Sequence, residues 1–166
     1  MMKITTPENI CAKFFMRNDT PEFDELPRVV PSQVHGKNII VVNDENFSAF
    51  TLPNKPDADG ILLTTENASA SLRFADCAPV LLWGKNFVML LHSGYKGTVL
   101  NISGAGLDLV KNSALGAWVG PCIGREYFRQ INDEWTQKGL EKFHRENFCV
   151  NGEKVFFDLA GEIKSQ

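Results

Sequence analysis

Three side chains have the chemistry either to hold a transition metal or to attack a covalent bond: His35, Cys77 and His92. His35 closes Gln33-Val34-His35-Gly36 and His92 lies in Leu91-His92-Ser93-Gly94. Each sits where a strand gives way to glycine, a place where a side chain faces a cleft while the sheet fixes its position. Cys77 stands in Phe74-Ala75-Asp76-Cys77-Ala78-Pro79. Pro79 cannot donate a ladder hydrogen bond, which makes this segment a bend or an edge. Two imidazoles and a thiolate match a zinc site with three protein ligands and an open fourth position. They lie 42 and 15 residues apart, unlike a local motif such as paired CxxC, so spacing alone does not select a metal. Without metal, the same trio reads as a Cys77 nucleophile with His92 as its base. Each member also has a plain structural reading, as a hydrogen-bonded edge histidine or a small buried hydrophobe.

Around this trio lie weaker signals. Ser93-Gly94-Tyr95-Lys96-Gly97 combines glycines, an aromatic and a cation ahead of a helix start, where free backbone N–H groups and Lys96 could hold an anion. Gly120-Pro121-Cys122-Ile123-Gly124 is a rigid turn, with Cys122 either a pocket wall or a filler. Arg73 interrupts an apolar strand, and a buried arginine needs an anionic partner, which points to a salt bridge. Asp76 adjoins Cys77 but reads as an acceptor that stabilises the bend. His144, in Glu141-Lys142-Phe143-His144-Arg145, reads as a solvated residue on the polar face of a helix.

The elements that must position these residues are legible as short apolar runs. Strands are expected at Arg28–Val30 leading into Gln33–His35, at Asn38–Val42, Gly60–Thr64, Ser69–Phe74, Val80–Trp83, Phe87–Leu91, Ala117–Val119 and Val155–Phe157. Residues 44–57, with two prolines and no sustained period, read as a loop, and Gly84-Lys85-Asn86 as a hairpin connection. Approximate helical spacing predicts one helix over 97–112 and another over 131–145, the latter started by Asn132 or Asp133, with a short helix after the last strand. The chain has 166 residues, 43% hydrophobic and 22% charged, the composition of one mixed α/β domain with a largely antiparallel sheet over residues 1–166. A net charge of −3 offers no basic surface to nucleic acid or an anionic membrane. The longest apolar runs are too short to cross a bilayer, and the start lacks a signal-peptide core, so a cytoplasmic location with reduced thiols is expected.

Taken in order, Ser32-Gln33-Val34-His35-Gly36, Ala58-Asp59-Gly60, Ala75-Asp76-Cys77-Ala78-Pro79, His92-Ser93-Gly94-Tyr95-Lys96-Gly97, Gly120-Pro121-Cys122-Ile123-Gly124 and Phe157-Asp158-Leu159 resemble the motifs of the YfiH/YlmD family. Its members are called laccase-domain or polyphenol oxidoreductase proteins and also purine nucleoside phosphorylases. The resemblance implies an α/β sandwich-like fold, in a chain short at both ends relative to the family. It implies a zinc or copper site on His35, Cys77 and His92. The activities implied are phosphorolysis of purine nucleosides, cleavage of methylthioadenosine and deamination of adenosine, with copper-dependent phenol oxidation as an older assignment. Where the family has Trp and Arg after the second histidine, this chain has Tyr95 and Lys96. Tyrosine still stacks on a base, whereas lysine is a point charge rather than a bidentate phosphate clamp. Arg73, Tyr95, Lys96 and Cys122 are therefore the expected substrate-binding residues, for a purine nucleoside and phosphate. Two other readings remain open: a Cys-His amidohydrolase, as in deamidating toxins of resembling fold, and a non-catalytic metal- or nucleoside-binding module. A multicopper oxidase is disfavoured because three histidines are too few for copper clusters. Oligomeric state is left open by the sequence.

Overall fold

Gly60-Ile61-Leu62-Leu63 is an apolar run without polar alternation, and such a strand needs cover on both faces. The computed structural model, which describes residues 1–7, 10–21, 25–51, 53–111, 113–131 and 133–166, provides that cover. Its strands are β1 (Met2–Lys3), β2 (Lys13–Phe14), β3 (Arg28–Val29), β4 (Ile39–Val42), β5 (Gly60–Leu63), β6 (Ser69–Ala70), β7 (Ala78–Trp83), β8 (Val88–Ser93), β9 (Gly116–Val119), β10 (Arg129–Gln130), β11 (Phe148–Asn151) and β12 (Lys154–Phe157). Its helices are α1 (Phe47–Phe50), α2 (Tyr95–Val99), α3 (Ile102–Leu109), α4 (Glu134–Lys142) and α5 (Leu159–Ser165). All four residues of β5 are buried. Ile61 and Leu63 pack with Val29, Ile40, Val42 and Ala58, while Leu62 faces Val80, Leu82, Met89, Leu91, Ile102 and Ile163 under α3 and α5. Burying one such aliphatic side chain stabilises by about 1.5–3 kcal/mol, so β5 is anchored from both sides.

The central sheet has the order β4-β5-β8-β7-β9, and every pair is antiparallel except β4 with β5. The mixed, largely antiparallel α/β fold expected from the sequence is thus the observed one. A three-stranded antiparallel sheet, β10-β12-β11, carries a separate cluster of Tyr95, Val99, Phe143, Val155, Phe157 and Leu159. No helix among the described residues is long and apolar enough to cross a membrane.

Several expected elements take a different form. Residues 97–112 hold two helices, because Asn101 adopts a left-handed φ of 56° and its side chain accepts the Gly104 N–H as the cap of α3. Residue 112, the expected end, lies outside the described residues. The expected loop at 44–57 contains the single turn α1. The helix at 131–145 contracts to α4, capped by Asp133 accepting from the Thr136 N–H; Asn132, the other expected starter, is outside the described residues. His144 therefore falls beyond the helix. It is exposed as expected, yet its N–H and Nδ1 both engage the buried Glu162, at 2.8 and 3.1 Å. Phe148–Asn151, read as part of no element, pairs with β12 through a turn at Gly152, which has a positive φ of 62°. The strand expected at Ser69–Phe74 stops at Ala70, leaving Arg73 exposed, so no buried ion pair is required of it.

Gly139 of α4 has no room for a methyl group, because a Cβ there would meet the Tyr95 hydroxyl and approach the Phe157 ring to 2.9 Å. Alanine is about 1 kcal/mol the better helix former, yet overpacking of this kind costs about 1–3 kcal/mol. Gly139→Ala is expected to lower the midpoint of thermal unfolding, and an unchanged midpoint would show that α4 moves freely off the aromatic cluster.

Candidate metal centre

Strand register assembles the trio. In the β7–β8 hairpin Pro79 lies opposite His92 and Ala78 opposite Ser93, which places Cys77 just before the start of β7, beside the turn that follows β8. On the other side of β8, Gly60 pairs with Leu91, so Asp59 lies next to His92 and its carbonyl accepts the His92 N–H at 2.7 Å. Because β4 runs parallel to β5, the segment before Ile39 enters at the same end, and the Asn38 carbonyl accepts the N–H groups of Asp59 and Gly60. His35 arrives on that segment.

One ligand atom each of His35, Cys77 and His92 lies within 4.8 Å of the other two. Metal bonds of about 2.0–2.3 Å put tetrahedral ligand atoms roughly 3.5 Å apart, a closure within reach of small rotamer adjustments. The donor set suits zinc or a single copper ion, whereas the oxygen-rich shells of magnesium or calcium are excluded by it. Among the described residues this is the one such grouping of three or more metal-ligating side chains.

The electrostatics are those of a ligand site. His92 is 3% exposed, and burial lowers its pKa more than the hydrogen bond and charge of Asp59 raise it. The 2.8 Å contact between His92 Nδ1 and Asp59 Oδ1 is therefore a hydrogen bond from a neutral imidazole to a carboxylate. For Asp59 burial raises the pKa, but bonds from His92 and from the Gly36, His35 and Val34 amides outweigh it and hold the carboxyl below its usual range. Burial pushes the Cys77 thiol up, and the neighbouring Asp76 and Asp59 charges add to the shift. A cation among the three ligands would reverse that preference and favour the thiolate.

Neighbouring parts hold the ligands in place. The Gln33 side-chain amide both donates to the Arg73 carbonyl and accepts the Arg73 N–H, each at 2.8 Å, tying the His35 segment to the segment that leads into Cys77. Ile123 N–H donates to the Asp76 carbonyl at 3.0 Å, which fastens the Gly120–Gly124 turn to the same bend. Gly94 leaves the Cys77 thiol its place, as a Cβ there would stand 2.7 Å from Cys77 Sγ and 3.4 Å from the His35 ring and would displace the thiol. A Cβ at Gly97 would stand 3.1 Å from the Gly36 carbonyl.

The expected substrate-binding residues are not gathered around this centre in the same way. Tyr95, expected to stack on a base, is buried against Phe128, Phe143 and Phe157, and its hydroxyl donates to the Trp135 carbonyl at 2.9 Å. Burial also pushes its phenol well up. The ring is a core component. Lys96 is exposed, with its ammonium 5.0 Å from the Trp135 ring centre. Cys122 is half-buried between two core clusters and lines an open depression of about 500 Å³ with Arg125, Glu126, Asp158 and Lys164, a depression that none of the three metal ligands lines. The aromatic side chain beside the centre is instead Phe74, half-buried, its ring centre 5.6 Å from that of His92. Asp59, quoted within Ala58-Asp59-Gly60, and Phe74 are the residues to which the sequence reading gave no role. An acidic residue opening a wholly apolar strand was the available sign for Asp59.

The family model of the multi-copper polyphenol oxidoreductase laccase matches residues 7–166. A purine nucleoside phosphorylase of Rickettsia conorii is 32% identical over 154 residues, covering 87% of this chain and 61% of that protein. One of Aquifex aeolicus is 25% identical over 140 residues, covering 82% and 62%. The chain thus spans about three-fifths of the length of these relatives. Among solved structures, the hypothetical protein YfiH of Bacillus licheniformis superposes with a TM-score of 0.72 at 23% identity, covering 83% of this chain and 57% of that one. YlmD of Geobacillus stearothermophilus gives 0.71 at 22%, covering 83% and 56%. These two likenesses establish the fold.

Gly94→Ala is expected to keep the fold but rotate the Cys77 thiol away from the two histidines. Competition against a chromophoric chelator should then show zinc affinity reduced at least tenfold at an unchanged thermal midpoint; wild-type affinity would show that the thiol is not a ligand.

Proposed function

Because the chain belongs to the multi-copper polyphenol oxidoreductase laccase family, we propose that it is a zinc-dependent enzyme acting on purine nucleosides, with His35, Cys77 and His92 holding the metal. The reaction class follows the names of its relatives, purine nucleoside phosphorylases. The observation that carries this reading is the convergence of two imidazoles and a thiol on one point at the end of the central sheet. When bound, the metal supplies Lewis acidity and lowers the pKa of water. A copper cluster would require more imidazoles than three histidines afford, so single-ion zinc chemistry is favoured over phenol oxidation.

In phosphorolysis a phosphate oxygen bonds to C1′ of the ribose as the C1′–N9 bond breaks, and the purine leaves with the bonding pair and takes up a proton. The chain's task is to hold base, sugar and phosphate in line. Phe74 presents a half-buried ring at the centre and serves as the wall against the base. Lys96, exposed and four residues past His92, is the cation for phosphate; leaving the Trp135 ring costs it about 0.5–1 kcal/mol, the worth of an exposed cation–π contact. Arg73, exposed and tethered through its main chain to Gln33, is a second positive group at the rim. Cys122 faces the separate depression toward Asp158 and Lys164 and takes no part in this arrangement. Deamination of adenosine in the same site would replace the C6 amino group by a water oxygen with release of ammonia.

One observation favours a second reading. Asp59, His92 and Cys77 stand in the order of an orienting acid, a base and a nucleophile, the constellation of a Cys-His-Asp hydrolase. In that reading His35 is dispensable, whereas a metal enzyme needs it.

The deciding experiment incubates zinc-quantified protein with adenosine or inosine, with and without phosphate, and resolves products by chromatography. Phosphate-dependent adenine or hypoxanthine, or phosphate-independent inosine from adenosine, absent in Cys77→Ala and His35→Ala, is the expected result. Turnover that survives His35→Ala and loss of zinc would move the assignment to the hydrolase, and nucleoside binding without product would move it to a binding module. Phe74→Ala should raise KM for nucleoside about tenfold with a smaller change in kcat, as loss of one base-stacking contact implies.

A further inference from the structure

We propose that Asp59 is the positioning residue of this centre: it decides which nitrogen His92 offers and holds His35 within reach, an inference that rests on the metal-site reading above. Its two carboxylate oxygens divide the task. Oδ1 accepts from His92 Nδ1 at 2.8 Å and from the His35 N–H at 3.0 Å. Oδ2 accepts from the N–H groups of Val34 at 3.2 Å and Gly36 at 2.7 Å.

A carboxylate is an acceptor only, so the proton of the neutral imidazole resides on Nδ1 and the lone pair on Nε2. Nε2 is then the nitrogen left for a cation. Outer carboxylates of this kind also raise the basicity of the histidine they hold.

The same side chain orders the second ligand. Three successive N–H groups converge on one carboxylate only where the chain curls around it, and His35 adopts a left-handed φ of 60°, uncommon for any residue but glycine. Those three bonds compensate that strained conformation. Released from them, Val34–Gly36 would relax toward extended backbone and carry the His35 ring away from Cys77 and His92.

Asp59 is itself rigid. It is fully buried, its N–H donates to the Asn38 carbonyl at 3.0 Å, and its carbonyl accepts the His92 N–H at 2.7 Å. One residue at the start of β5 thus grips a ligand on each side, β8 through side chain and main chain and the segment before β4 through its side chain. It stands outside the metal's own ligand set, so its effect on chemistry is indirect.

The test replaces zinc by Co(II), whose thiolate charge-transfer and visible bands report ligand geometry, in the whole chain and in Asp59→Asn. The carboxamide keeps one acceptor oxygen for His92 and His35 but sets an NH2 group against the Val34 and Gly36 N–H groups. Co(II) and zinc affinity about 10- to 100-fold below wild type, with altered visible bands and faster hydrogen exchange at Val34, His35 and Gly36, is the expected result. Wild-type affinity and spectrum in Asp59→Asn, even at a lower melting temperature, would reduce Asp59 to a structural residue and overturn the inference while leaving the metal site standing. Failure of the wild-type chain to bind either ion would overturn the metal reading and this inference with it. A measurement on the unaltered protein guards against a variant that does not fold: long-range ¹⁵N–¹H NMR during zinc titration. His92 with Nδ1 protonated and Nε2 shifted by zinc supports the proposal, and Nδ1 shifted by zinc overturns it.

Discussion

A carboxylate with no exposed surface is stable only where donors replace the water it has lost, and Asp59 meets that demand with one imidazole and three backbone N–H groups. The site geometry follows from the same four bonds. They orient the ring of His92, curl the chain around His35 and connect the ends of two neighbouring strands to the segment before a third. An ionised buried group of this kind makes the arrangement discrete, since half of the set would leave charge or N–H groups uncompensated. The rest of the central sheet supplies the frame in which that matching holds.

The frame is a matter of register. β8 lies between β5 and β7 with residues 60 and 91, and 79 and 92, opposed, so the residues just outside those strands come together at one sheet end. A slip by one residue would turn the apolar faces of Ile61 and Leu62 around as well as separate the ligands, so the double-sided core protects the site's alignment. Two closely packed glycines complete the fit. Gly94 lets Cys77 approach His35, and Gly97 lets the turn after β8 lie against the Gly36 carbonyl.

Beyond that turn the chain leaves the site. Ser93 and Thr98 join hydroxyl to hydroxyl at 2.9 Å, and Tyr95 is drawn into the aromatic cluster of the second sheet instead of the cleft. The consequence for function is a division of labour. The glycine turn joins the end of β8 to the aromatic cluster of the small sheet, while Phe74, from the bend before β7, is the aromatic ring beside His92.

Much of this was open to reading from the residues alone. The types of His35, Cys77 and His92, the places of Cys77 and His92 at strand ends beside proline or glycine, and the short apolar runs of the central sheet are local properties, and local chemistry determined them. So was the mixed, largely antiparallel fold class. His35, expected to close a strand over Gln33–His35, stands instead in a bend between β3 and β4. What the sequence could not carry was the partner of each group. The buried role of Asp59, the exposure of Arg73, the tie between His144 and Glu162 and the inward turn of Tyr95 all depend on residues 15 or more positions away. Helix breaks escaped in the same way, because a left-handed Asn101 is chosen by its cap and its packing and leaves no mark on periodicity. The sequence by itself determined which side chains are available as metal ligands, nucleophile or base; the tertiary structure decided which of them meet, because hydrogen-bond matching and strand register are relations between distant segments.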